Sequence, residues 1–204
     1  SFLKEYPVKV INNGIDHSIF YPQKSRFRDE YGIGGKYVIL GVAFDWGYKK
    51  GLDVFIELRN RLDEQYVIVI VGADETVEKQ LGPGFIVIQR TANKKELAQI
   101  YSAADVFVNP TREDTFPTVN IEALACGTPV ITFPTGGSPE IIDSTCGIVT
   151  KEPTVNSMLD AILRIQQEKN DYTETMCCRR AKQFDQKVCY ESYVALYEDV
   201  LKNG

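Results

Sequence analysis

Short runs of β-branched and aliphatic residues alternate along this chain with longer stretches whose apolar residues return every three or four positions, and no other feature limits the fold so strongly. Tyr37–Val42 (YVILGV) and Val67–Val71 (VIVIV) are apolar throughout, as strands covered on both faces should be. Phe85–Ile88, Val106–Val108, Pro129–Phe133 and Gly147–Val149 read as further strands, and Val8–Ile11 as one ended by the turn Asn12-Asn13-Gly14. Between them, Gly51–Leu62 keeps Leu52, Phe55, Leu58 and Leu62 near helical spacing, and Lys94–Ala103 carries Leu97 and Ile100. Pro117–Cys126 reads as a helix closed by Gly127, which takes a left-handed conformation without a Cβ penalty. Past Val149 the pattern is purely helical. Thr154 is placed to cap a helix bearing Val155, Met158, Leu159, Ile162 and Ile165, and a last helix near Tyr190–Leu201 carries Tyr193, Leu196, Tyr197 and Val200. Strands and helices in alternation with short loops predict an α/β fold, a parallel sheet with helices on both faces. No internal linker or repeat divides the chain, so residues 1–204 read as a single domain, an α/β core over 10–150 followed by helices over 151–204.

Composition removes several function classes. The formal net charge is −5, so no overall field draws the chain to nucleic acid. No stretch is apolar and long enough to span a bilayer, and the opening Ser-Phe-Leu-Lys-Glu-Tyr-Pro lacks a leader-like apolar run. Five cysteines without Cys-x-x-Cys spacing and a lone histidine, His17, argue against a disulfide framework, a structural zinc site and a His-based triad. The cytoplasm is the expected compartment. No Gly-x-x-x-x-Gly-Lys-Ser/Thr loop, Gly-x-Gly-x-x-Gly fingerprint or Gly-x-Ser-x-Gly elbow occurs.

In a parallel α/β sheet, ligands bind beyond the carboxyl ends of the strands, where strand order reverses. The loops after Val42, Ile88, Val108 and Phe133 therefore hold the candidate chemistry. The loop 109–118 runs straight into a helix, whose free N–H groups suit a phosphate. Asp114 in that loop and Glu122 in the helix are two carboxylates able to grip sugar hydroxyls; equally, Asp114 could cap the helix and Glu122 could be a solvated surface residue. Gly136-Gly137 either lets backbone approach a ligand or serves a tight turn. Lys49 and Lys50, at a helix start, could neutralise a diphosphate or simply be solvated.

Together these segments resemble the second half of GT-B glycosyltransferases of the large retaining family 4, the "glycosyl transferases group 1" domain. The resemblance rests on Val10-Ile11-Asn12-Asn13-Gly14-Ile15-Asp16 with Phe20, on Lys50-Gly51-Leu52, and on Ala104-Asp105-Val106-Phe107-Val108. It continues with Asp114…Glu122 in an E-x7-E slot, Ala123–Ile131, Gly136-Gly137-x-x-Glu140 and Leu196-Tyr197. It implies a Rossmann-like sheet that binds a nucleoside diphosphate sugar, UDP- or GDP-linked, and a hexose-type sugar transferred to a glycan or other acceptor. Carried over by position, Glu122 would hold ribose hydroxyls, Asp114 hydroxyls of the donor sugar, and Lys50 the diphosphate. The backbone around Thr115 and Phe116 would complete the phosphate seat, and Arg90, Thr91 and Leu97 would face the base. Neither a metal nor another cofactor is implied. The sequence departs from the family at Asp114, one methylene shorter than glutamate, and at Asp45, where the family commonly has a phosphate-binding arginine. Because such enzymes hold the acceptor in a preceding domain, the chain is expected to be an excised donor domain; any peripheral membrane contact would come through that missing domain. The alternative is a non-catalytic nucleotide or sugar-phosphate binding module.

Overall fold

A computed structural model describes residues 8–203; the opening seven residues, where no leader was expected, lie outside them. Six strands form one sheet: β1 (Tyr37–Val42), β2 (Tyr66–Val71), β3 (Phe85–Ile88), β4 (Val106–Asn109), β5 (Val130–Thr132) and β6 (Gly147–Val149). Every pairing is parallel, and the spatial order is β3-β2-β1-β4-β5-β6. The α/β expectation holds, in the Rossmann-like arrangement. The chain builds outward from β1 to β3, then returns to lay β4 on the other side of β1. The reversal of strand order therefore falls between β1 and β4.

The two-residue period of the strands divides the core. Val38 and Leu40 of β1, Val67 and Val69 of β2 and Phe107 of β4 face one buried cluster, and Ile39, Ile68, Ile70, Val106 and Val108 face the other. The first face is covered by α4 (Lys94–Ala103), α5 (Thr118–Ala125) and α8 (Glu174–Ala181), through side chains such as Tyr101, Ile121 and Cys177. The second is covered by α2 (Leu52–Arg61), α3 (Glu75–Leu81) and α7 (Val155–Gln167), through Phe55, Val77 and Met158. Thr154 caps α7 as expected, its hydroxyl accepting from the Ser157 amide at 3.2 Å.

Val8–Ile11 is not a strand. Residues 8–14 are irregular, and Val8 and Val10 are 73% and 79% exposed. A β-branched run states a preference, but a strand also needs an edge to pair with. Here Ile15 takes the contact instead, in an isolated bridge to Asp185 at the start of α9 (Gln186–Asn203). Four helices were not expected as such: α1 (Phe27–Glu30), α3, α6 (Ser138–Ile141, foreseen only as a helix start) and α8. Two of these carried a readable signal. Asp74 caps α3 by accepting from the Thr76 and Val77 amides, and Thr173 caps α8.

Candidate functional site

The β1–α2 turn and the β4–α5 loop face each other across the strand-order reversal. After β1 the chain turns at Trp46, whose indole N–H donates to the Val71 carbonyl at 2.9 Å and whose ring meets Phe55 edge-on. A tight turn at Tyr48–Lys50 follows, and Gly51 starts α2 with φ +77. A Cβ on Gly51 would lie 2.5 Å from Pro110, so glycine is what lets the two segments close on each other.

Three ion pairs cross this junction. Lys50 Nζ lies 2.8 Å from Asp114 Oδ2, both half-buried, and Lys49 Nζ lies 2.6 Å from Glu113 Oε2 on the exposed rim. Arg112 forks onto Asp53 of α2, each nitrogen 2.8 Å from a different carboxylate oxygen. The neighbouring Asp53 raises the Arg112 pKa, and Glu113 raises that of Lys49. Asp114 is therefore not a helix cap. The residue preceding α5 is Pro117, which makes no side-chain cap, while Asp114 turns back to Lys50.

Glu122 sits on α5, half-buried, and its Oε2 accepts from the Tyr101 hydroxyl at 3.1 Å. Burial raises its carboxyl pKa from the ordinary 4.5, partly countered by the Tyr101 hydrogen bond. It is not a solvated surface residue. It lines a cavity of about 990 Å³ together with Arg90, Thr91 and Leu97, whose other walls include Val42, Phe44, Val71, Gly72 and Val119. All four residues assigned to the nucleoside therefore converge on one largely apolar hollow. The same two segments extend to the ion pairs: the stretch after β1 gives Phe44 to the cavity and Lys50 to the junction, and the stretch after β4 gives Asp114 and then Glu122.

Gly136 and Gly137 serve the protein first. Gly137 donates its amide to the Thr115 carbonyl at 2.8 Å, and a Cβ there would meet the Phe116 ring at 2.5 Å. On Gly136, with φ +51, a Cβ would lie 1.9 Å from the Asp114 carbonyl oxygen. The glycines thus set the height of the 114–116 backbone. Asn120 and Asn109 were not singled out from sequence, yet their buried side chains are bonded at 2.8 Å and tie α5 to the end of β4. Arg112, Asp53 and Tyr101 were missed too; only the contacts, not the spacing, reveal them. Among the described residues no group of three or more His, Cys, Asp or Glu is arranged to hold a metal, and no helix is long and apolar enough to cross a membrane.

Comparison with known proteins identifies the family and agrees with the fold. The profile of the family described as "Glycosyl transferases group 1" matches residues 36–168. D-inositol 3-phosphate glycosyltransferase of Mycobacteroides abscessus is 27% identical over 168 residues, which is 76% of this chain and 38% of that protein. Among solved structures, sucrose-phosphate synthase of Thermosynechococcus elongatus superposes with a TM-score of 0.82 at 23% identity, over 96% of this chain and 53% of that one. HepE of Anabaena, solved in complex with UDP-glucose, superposes with a TM-score of 0.81 at 19% identity, over 94% and 57%. At these identities the structures establish the fold, and the chain spans between about two fifths and three fifths of each of these proteins.

Proposed function

This chain belongs to the glycosyl transferases group 1 family, and from that premise we propose that it is the donor-binding domain of a retaining glycosyltransferase. It binds a UDP- or GDP-linked sugar, and in the complete enzyme a hexose-type sugar passes to a glycan or other acceptor held by a separate domain. The observation that carries this reading is the convergence of Arg90, Thr91, Leu97 and Glu122 on one cavity, to which the segment after β1 that bears Lys50 gives Phe44 and the segment after β4 that bears Asp114 gives Glu122. That HepE was solved with UDP-glucose supports the choice of ligand class.

In this reading the base lies against Leu97 and the Arg90-Thr91 loop, and Glu122 accepts the ribose hydroxyls. Burial has already stripped much water from that carboxylate, so an O–H donor replaces hydration rather than competing with it. Lys50 addresses the diphosphate. Its ammonium has three N–H donors, and the bond to Asp114 uses one, which leaves two for phosphate oxygens. Lys49, turned outward to Glu113, contributes field rather than contact. Asp114, fixed by Lys50, presents its other oxygen to sugar hydroxyls, and the backbone of Thr115 and Phe116 with the start of α5 completes the phosphate seat. Departure of the diphosphate builds negative charge, which Lys50 and the helix start are positioned to stabilise. The reading assigns no metal and no covalent nucleophile. Five free thiols, three of them buried, accord with a reducing compartment, the cytoplasm.

Thermal denaturation with UDP, GDP, their sugars and NAD tests this directly. A ligand at about 100 times its Kd stabilises by about 2.7 kcal/mol, and one uracil or guanine series should do so while NAD does not. Stabilisation by NAD, or by none of these ligands, would overturn the reading.

A further inference from the structure

We propose that Arg112, locked by Asp53, is a positioning residue that holds Lys50 in place for the donor diphosphate; the inference rests on the donor-binding reading above. The turn that carries Lys50 is attached to the β4–α5 loop almost entirely through Arg112 and its neighbours. The Arg112 amide donates to the Lys49 carbonyl at 2.8 Å, and its guanidinium donates to the Tyr48 carbonyl at 2.7 Å. These are the two carbonyls immediately before Lys50. The same guanidinium forks onto Asp53, three residues after Lys50, and lies 4.0 Å over the Tyr48 ring. Thr111 adds a hydroxyl bond to the Lys49 carbonyl at 3.3 Å, and Pro110 packs on Gly51.

The guanidinium thus grips the turn on both sides of Lys50. Three of its five N–H donors are spent on Asp53 and the Tyr48 carbonyl, and its charge is matched by Asp53, so it is badly placed to serve as a phosphate cation itself. Lysine could not do this work, because a point charge cannot fork onto a carboxylate and reach a carbonyl together. Without the grip, Lys50 keeps its bond to Asp114 but loses the fixed backbone that aims its remaining N–H donors.

Calorimetry on the full 204-residue chain, with the nucleoside diphosphate that wild type binds and the matching nucleoside, tests this. Arg112→Ala should weaken diphosphate binding about tenfold, the scale of one charge-assisted hydrogen bond, and leave nucleoside binding within about twofold. Arg112→Lys and Asp53→Asn, which better preserve packing, should lose part of the same diphosphate-specific affinity, and they decide the matter if Arg112→Ala does not fold. In a Lys50→Ala background Arg112→Ala should cost nothing further, because it acts only through Lys50. Equal losses for nucleoside and diphosphate, unchanged diphosphate affinity, or an additive loss in the Lys50→Ala background would each overturn the proposal. If wild type binds no nucleoside diphosphate, the donor-binding reading itself falls, and this inference with it.

Discussion

Glu122→Gln should make the protein more stable and a worse binder at the same time. The substitution keeps the shape of the side chain and an oxygen for the Tyr101 hydroxyl, which lies 3.1 Å from Oε2. It removes the negative charge that burial disfavours and replaces the second acceptor by an amide donor, which cannot accept a ribose hydroxyl. The sign of the stability effect follows from the raised pKa. An acid whose folded pKa lies above its unfolded value costs stability once ionised; the cost is absent below 4.5, grows as pH rises through 4.5, and is complete above the folded pKa. Melting temperatures of wild type and Glu122→Gln should therefore coincide in acid and separate toward neutrality, with the variant higher. Donor binding moves the other way. Losing a charged acceptor costs about 1.5–3 kcal/mol, or about 10- to 150-fold in Kd at neutral pH, and Glu122→Ala should take binding below detection. A Glu122→Gln protein that binds the cognate diphosphate as tightly as wild type at pH 7.5 would refute the ribose role. One that is less stable than wild type at that pH would refute the burial argument.

Lys50→Ala should weaken nucleoside diphosphate binding far more than nucleoside binding, whereas Lys49→Ala, which breaks only the exposed pair with Glu113, should change both little; a larger loss for Lys49→Ala in calorimetry would exchange the two roles. Gly136→Ala, which forces a Cβ against the Asp114 carbonyl at positive φ, should lower the urea stability by about 1–3 kcal/mol and weaken diphosphate binding with it; an unchanged midpoint would show that the 114–116 backbone yields freely. The isolated chain should bind donor yet transfer no sugar to an acceptor panel, since positioning two substrates accounts for about 7–11 kcal/mol of a barrier and nothing here is assigned to the acceptor; robust transfer detected by mass spectrometry would contradict the division of labour.

The sheet was legible because β1 and β2 are apolar on both faces, the pattern of a strand covered by helices on each side. Elements that bury little were not. α3 hides only Val77 and Leu81, and α8 only Cys177 and Ala181, so their periodicity is faint and their caps carried the information. Val8–Ile11 failed for the opposite reason: its residues favour a strand, but the chain there meets no sheet edge. In the candidate site, Glu122 and Lys50 stood out by motif and position. The Lys50–Asp114 bond was not, since each had been assigned a separate ligand and nothing local says that residues 64 positions apart will meet. Arg112 lies in the same loop as Asp114, but its role resides in the carbonyls of Tyr48 and Lys49 rather than in any spacing.

The reversal of strand order between β1 and β4 has a practical consequence for anyone recombining such domains. Lys49, Lys50 and Asp53 on one segment are matched to Glu113, Asp114 and Arg112 on the other, with the polarity of the last pair inverted. Grafting residues 109–117 alone from a relative would set new charges against an old counterpart and leave half-buried ions without partners. The exchangeable cassette is instead two strips of chain, 43–53 and 109–117, moved in one step. A chimera library that shuffles single crossover points between them should be depleted of folded, ligand-competent members, and one that transfers both strips should not.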